Sequence, residues 1–237
     1  MKDSEHKQFY KPYSSTIEFE KFLIQNKLIN SKTENIIDIG TGIGANLHYF
    51  SKRHKNINFT GIDYSKNRIQ QGKSINKNKK IKLKKIDILN NNFNLRNKFD
   101  GAIMIHALCC FKKLDQVISK ICKLNTKWIA INSLFYEGNL DVLIQIKDHN
   151  NIKTFSQRGL NNNDGDFNIF SLIQLKKIFS MNGYKLIKKK PYFPTKKIPK
   201  PSRGSRGSYT IKTEFNKFTT FSGPIYLPWY FIYAVKK

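Results

Sequence analysis

The segment from Glu34 to Phe50, ENIIDIGTGIGANLHYF, constrains this chain more than any other. A β-branched run carries a carboxylate at Asp38, glycines follow at Gly40, Gly42 and Gly44, and apolar residues then recur at helical spacing. That succession spells a strand, a tight turn and a helix. Glycines without Cβ atoms let the chain bend sharply and let a ligand lie directly on the backbone, while the helix start offers unpaired N–H groups to an acceptor. A second apolar run closes at Asp63, a position suited to accepting both hydroxyl hydrogens of a ribose. The segment therefore reads as a nucleoside-binding turn.

Glycine spacing alone leaves two kinds of nucleoside ligand open. Gly40, Gly42 and Ala45 also satisfy the dinucleotide fingerprint GxGxxG/A, so an NAD-dependent oxidoreductase is the alternative. Asp38 weighs against it, because a carboxylate two residues before the first glycine suits a cationic, amine-bearing ligand and sits poorly beside a pyrophosphate. The run from Asp38 through Gly40, Gly42 and Gly44 resembles the first motif of the class I S-adenosylmethionine-dependent methyltransferases, and the resemblance extends over about residues 34 to 134. It implies S-adenosylmethionine as cofactor, with Asp38, the three glycines and Asp63 around it. It further implies that Asp87, followed by Ile88 at the end of KIKLKKIDIL, contacts the adenine, and that FDGAIMIHAL brings His106 and Ala107 to the cofactor and substrate side of a sheet. A strand-end acid solvated in a loop is the plainer reading of Asp63 and Asp87.

The rest of the pattern predicts an α/β fold in one domain over residues 1–237. Strands are expected near 35–39, 57–63, 81–87, 99–106, 127–134 and 184–190, alternating with helices near 43–54, 65–76 and 112–124, which gives a doubly wound, mostly parallel sheet. The resemblance adds a seventh, antiparallel last strand from PIYLPWYFIYAV. Ser14, Ser15 and Thr16 read as caps of an amphipathic helix within an N-terminal lid over 1–33. Residues 135–168 and 191–223, the latter with Pro191, Pro194, Pro199 and Pro201 and a hairpin-like SYTIKTEFNKFTTF, read as insertions at the carboxyl edge of the sheet, capping a substrate.

A small-molecule acceptor, anionic or sugar-like, fits the composition of those insertions. From Lys185 to Lys217 there are 11 basic residues against one acid, and Arg203 and Arg206 stand in a glycine-serine loop able to wrap an anion, although a solvated basic loop reads equally well. Tyr10, Tyr13 and Tyr136, then Tyr209, Tyr226 and Trp229, are candidates for aromatic walls near a sulfonium. His106 is the preferred general base, and equally a histidine holding a backbone carbonyl; His149 and Asp148 are weaker. Transfer at oxygen or nitrogen is expected to proceed by in-line displacement.

Net charge of +27 raises the possibility of an RNA methyltransferase. Only six of the 43 basic residues are Arg, however, and 31 Ile and 25 Asn stand against five Ala, a bias that A/T-rich codons produce without any selected partner. Neither an Asn/Asp-Pro-Pro-aromatic motif nor a Pro-Cys nucleophile follows the fourth strand, so nucleic acid is not the favoured acceptor. Cys109, Cys110 and Cys122 lack the spacing of a disulfide framework or a thiolate site, and no metal is expected. With no apolar run of 18 residues and no leader pattern, a cytoplasmic protein without membrane contact is expected.

Overall fold

The computed structural model describes residues 7–90, 95, 98–144, 167–201, 208–213 and 217–237. Helix α1 (Ser14–Gln25) precedes strand β1 (Asn35–Ile39), and α2 (Ala45–Arg53), β2 (Asn58–Asp63), α3 (Lys66–Ile75) and β3 (Ile81–Lys85) follow. Strand β4 (Gly101–Ile105), a short 3-10 turn (Leu108–Cys110), α4 (Leu114–Cys122) and β5 (Trp128–Tyr136) complete the first half. Beyond it lie β6 (Phe170–Ser171), α5 (Leu172–Met181), β7 (Tyr184–Pro191), β8 (Ser208–Lys212), β9 (Phe218–Ser222), β10 (Ile225–Tyr226) and β11 (Trp229–Lys236).

The main sheet runs β3-β2-β1-β4-β5-β11-β7, with β6 extending beside β5, and β8 to β10 form a separate three-stranded sheet. Strands β1 to β5 are parallel to their neighbours, whereas β11 is antiparallel to both β5 and β7. Both faces are buried, so the central strands read as continuous apolar runs. Alternate residues feed two cores. On one face Ile36, Phe59, Ile103, Ala130 and Phe231 meet Phe19, Phe22 and Leu23 of α1 and Leu47 and Phe50 of α2; on the other Ile37, Ala102, Met104, Ile129 and Ile131 meet Val117, Ile118 and Ile121 of α4 and Leu175 and Phe179 of α5. Each large apolar side chain among them contributes about 1.5–3 kcal/mol on removal from water, before entropy is counted.

Helix α1 is tied to α2 by more than its apolar stripe. The buried Glu20 carboxylate accepts from Arg53 Nε and His54 Nε2, each at 2.7 Å, and from the Tyr49 hydroxyl at 2.7 Å. Burial alone would raise its pKa, but the three hydrogen bonds outweigh that and hold it below the usual carboxylate range.

The structure departs from the sequence-based expectations at several element ends. Ser14, Ser15 and Thr16 are not caps: the helix starts at Ser14 with Tyr13 as N-cap, and Thr16 Oγ1 donates instead to Asn46 Oδ1 at 2.8 Å. Strand β3 stops at Lys85, leaving Asp87 in the following turn. The last apolar run breaks at Leu227 and Pro228, because Pro228 has no N–H to give a ladder, and yields β10 and β11. The expected hairpin is present and gains β10 as a third strand. No helix among the described residues is long and apolar enough to cross a membrane.

Candidate functional site

The glycine turn follows β1 at the carboxyl edge of the sheet. Gly40, Gly42 and Gly44 take φ values of +72°, +58° and +80°, a region costly for residues with a Cβ. At Gly40 space is excluded as well, since a Cβ there would stand 2.5 Å from the Ala107 Cβ. Gly40 and Thr41 both donate their N–H groups to Ile62 O, at 2.9 and 3.0 Å, which pins the turn against the end of β2.

Two carboxylates flank this turn in opposite states. Asp63 is buried and satisfied: Gly42 N donates to its Oδ2 and Ser65 N to its Oδ1, each at 2.9 Å. Each oxygen keeps further acceptor capacity for a ligand hydroxyl. Asp38 is only 1% exposed, and neither of its oxygens has a hydrogen-bond partner. Burial pushes its pKa up to about 7, with a further rise from the Asp63 charge; the Thr41 hydroxyl nearby pulls the other way without completing a bond of good geometry. A buried carboxylate in this state lacks the cation or donors that such groups ordinarily have. Phe9, which the sequence did not single out, packs with Ile43 and Ala45 and tilts against the His48 ring at 5.0 Å, covering the start of α2. Asp87 is exposed and accepts from Leu89 N at 2.9 Å; the adjoining Ile88 is buried in the core beside Ile62.

A second set of groups gathers where β4 ends and β11 begins, beside the middle of β5 and the start of α1. His106 has φ +57° and donates its backbone N–H to Asn132 O at 2.9 Å. Its Nε2 lies 3.0 Å from Asn132 Nδ2, so the amide donates, Nε2 accepts, and the ring proton falls on Nδ1. Its ring meets Trp229 at 4.7 Å and Tyr13 at 6.3 Å between centroids. Desolvation in these surroundings lowers its pKa to about 4. Asn132 is fully buried with Oδ1 unpartnered. The signal for it was available: it is the first polar residue in WIAINSLFY, an otherwise apolar strand opening.

The remaining candidates divide. Tyr13 and Trp229 join the His106 chamber, whereas Tyr10 is 80% exposed. Tyr136 is exposed at the end of β5, its ring over Gly138. Tyr209 stacks on Phe221 at 5.9 Å within the small sheet and donates its hydroxyl to Gly223 O. Arg203, Arg206, Asp148 and His149 lie outside the described residues. The ends of the first insertion are firmly tied: Asn168 donates to Cys109 O and Phe111 O and accepts from Ile144 N, all at 2.8 Å. Cys109 and Cys122 are buried, Cys110 is exposed, and none of the three is in a disulfide. Among the described residues no three His, Cys, Asp or Glu side chains gather as a metal site.

Residues 37–126 match the family described as "Methyltransferase domain". No curated protein sequence matches the chain. Among solved structures, the 1,6-didemethyltoxoflavin-N1-methyltransferase of Burkholderia thailandensis, with its acceptor and S-adenosylhomocysteine bound, superposes with a TM-score of 0.60 at 12% identity, covering 100% of this chain and 84% of that one. Magnesium protoporphyrin IX methyltransferase from Synechocystis, with S-adenosylhomocysteine bound, gives 0.55 at 12% identity, covering 99% and 88%. A Listeria monocytogenes protein assigned as an S-adenosylmethionine-dependent methyltransferase gives 0.56 at 13% identity, covering 93% and 99%. At such identities the superpositions speak to the fold.

Proposed function

We propose that the chain is a class I S-adenosylmethionine-dependent methyltransferase that methylates oxygen or nitrogen of a small acceptor, in-line, in the cytoplasm; its fold and its match over residues 37–126 support this reading. The observation that carries the cofactor assignment is Asp38: a buried carboxylate with no partner, beside a glycine turn that a single Cβ would obstruct. An ammonium group fits the first and a nucleoside the second. When bound, S-adenosylmethionine supplies an electrophilic methyl group on a sulfonium. In this reading Asp38 takes the ammonium, Asp63 accepts the ribose hydroxyls, Gly40, Gly42, Gly44 and Ala107 form the floor, and Asp87 with Ile88 edges the adenine.

On the acceptor side, Tyr13, His106 and Trp229 hold the nucleophile in line, and alignment of this kind is worth up to about 7–11 kcal/mol of barrier. His106, with a pKa near 4 and Nε2 already accepting from Asn132, is neutral at physiological pH and a weak base. We therefore assign it a hydrogen-bond-donating role through Nδ1–H rather than proton removal. A neutral amine acceptor, or a hydroxyl already acidic, suits that arrangement. The N-terminal segment over 1–33, Tyr10 included, serves as a lid, Tyr136 stands on the acceptor side, and the insertions over 135–168 and 191–223 cap the acceptor. The basic character of the second insertion, Arg203 and Arg206 included, favours an anionic one. The Burkholderia and Synechocystis neighbours act on 1,6-didemethyltoxoflavin and magnesium protoporphyrin IX, both small molecules.

Calorimetry with S-adenosylmethionine, S-adenosylhomocysteine and NAD tests the core of this reading. Both sulfur nucleosides should bind, and Asp63→Ala should weaken both by about 1–3 kcal/mol for the lost polar contact. Binding of NAD without either sulfur compound would refute it.

A further inference from the structure

A groove opens between the end of β7, the start of β11 and the small sheet, lined among others by Tyr192, Phe193, Thr220, Tyr226, Trp229 and Tyr230. Three features say what it would hold. Aromatic rings stand among its walls: Tyr192 stacks on Phe231 at 4.9 Å and is fixed by a 3.0 Å hydroxyl contact with Ser14, while Tyr226 leans on Phe221 at 5.8 Å. Thr220 is 6% exposed and its Oγ1 has no hydrogen-bond partner, so one lining residue carries a buried polar atom left unsatisfied. Lys217 Nζ rests 5.0 Å from the ring centroid of the lining residue Phe193, with its charge unopposed by any ion pair among the described residues. Tyr230, by contrast, ends at Glu137, whose charge is met by Lys189 at 2.9 Å.

Trp229 connects this groove to the chemistry, because it is among the lining residues and its ring sits 4.7 Å from His106. We propose that the groove seats the distal part of the methyl acceptor, and that this part is a planar aromatic ring carrying an anionic substituent and a hydrogen-bonding atom. The ring lies between Tyr192 and Tyr226, the Thr220 hydroxyl meets the polar atom, and Lys217 meets the anion. Stacking sets the plane of the ligand, and the lysine sets which end faces outward. The inference rests on the methyl-transfer reading, since it gives that reaction its acceptor class.

The test uses the full chain saturated with S-adenosylhomocysteine and titrated calorimetrically with 2-naphthoate, 2-naphthalenemethanol and 2-naphthylmethylammonium. Naphthoate should bind about tenfold tighter than the ammonium compound, as one charge-assisted contact allows. Tyr226→Ala should weaken naphthoate about fivefold or more by removing a stacking wall. Lys217→Glu should abolish the preference for the anion, and both variants should keep their melting temperatures and their affinity for S-adenosylhomocysteine. Three naphthyl probes binding alike, or naphthoate affinity unmoved by both substitutions, with S-adenosylhomocysteine still bound, would overturn the groove assignment alone. Failure of S-adenosylhomocysteine to bind the unaltered chain would overturn the methyl-transfer reading and take this one with it.

Discussion

Replacing Asp38 by Asn should make the ligand-free protein more stable and the ligand-binding protein worse, with a pH dependence that identifies the cause. Asp38 moves from an ordinary pKa of 3.8 to about 7 on folding, principally because burial disfavours its charged form. A carboxyl whose folded pKa is raised binds its proton more tightly in the native state, so its contribution is complete below the unfolded pKa and is lost as pH rises through the folded one. The gap of about three pH units corresponds to about 4 kcal/mol at 1.36 kcal/mol per unit, an upper bound that water entering the cleft reduces. An Asn is never ionised, so wild type and variant should unfold alike near pH 4 and diverge up to pH 7. Above pH 7 the variant should be ahead by about 2–4 kcal/mol, which for a chain of this size is about 4–16 °C in melting temperature. Affinity for S-adenosylmethionine should move the other way, falling by about 2 kcal/mol or more with loss of a buried charge partner. Thermal and urea unfolding at pH 4 to 8 without ligand, with calorimetry at pH 7.5, reads both effects. Parallel stability curves for the two proteins would show that Asp38 carries no buried charge and would remove the basis for its ammonium contact.

Further substitutions probe other parts of the site. Gly40→Ala forces a left-handed Ala, at about 1–2 kcal/mol, against Ala107, where overpacking costs about 1–3 kcal/mol more; a melting temperature unchanged by the substitution would show that the turn yields freely. Asn132→Asp sets a carboxylate about 3 Å from His106 Nε2, which should raise the His106 pKa from about 4 toward neutrality; an NMR titration of the ring protons measures it. Glu20→Gln should destabilise the fold by about 2–4 kcal/mol, as charged hydrogen bonds to Tyr49, Arg53 and His54 are lost. Because the Glu20 pKa is lowered, wild type should lose this advantage as pH drops below the ordinary 4.5, and chemical unfolding at pH 3 should find the two proteins closer.

The parts of this molecule legible from the sequence are those with short-range causes. The glycine turn, the strand-end acid Asp63 and the alternation of elements all leave local periodicities, and β1 falls where its pattern placed it. Three things depended on distant partners. Ser14 to Thr16 look like caps in isolation, but Thr16 has a partner in α2 that no local pattern reveals. Asp38 could be assigned a charge preference from its spacing, whereas its lack of any partner requires the packed structure. His106 was recognisable as a histidine at a strand end, yet its character is set by Asn132 and Trp229, each from a strand remote in the chain.

The position of β11 in the sheet bears on how the chain is made. Trp229 to Val235 must slot between β5 and β7, pairing Trp229 with Leu134 and Lys236 with Tyr184. Until that segment leaves the ribosome, both flanking strands present bare ladder edges to the cell, open to pairing with another chain. The wall of the His106 chamber is likewise absent until then, because Trp229 belongs to the inserted strand. Synthesis therefore yields an incomplete sheet that already carries the glycine turn, and the surroundings of His106 take shape only when β11 is threaded home.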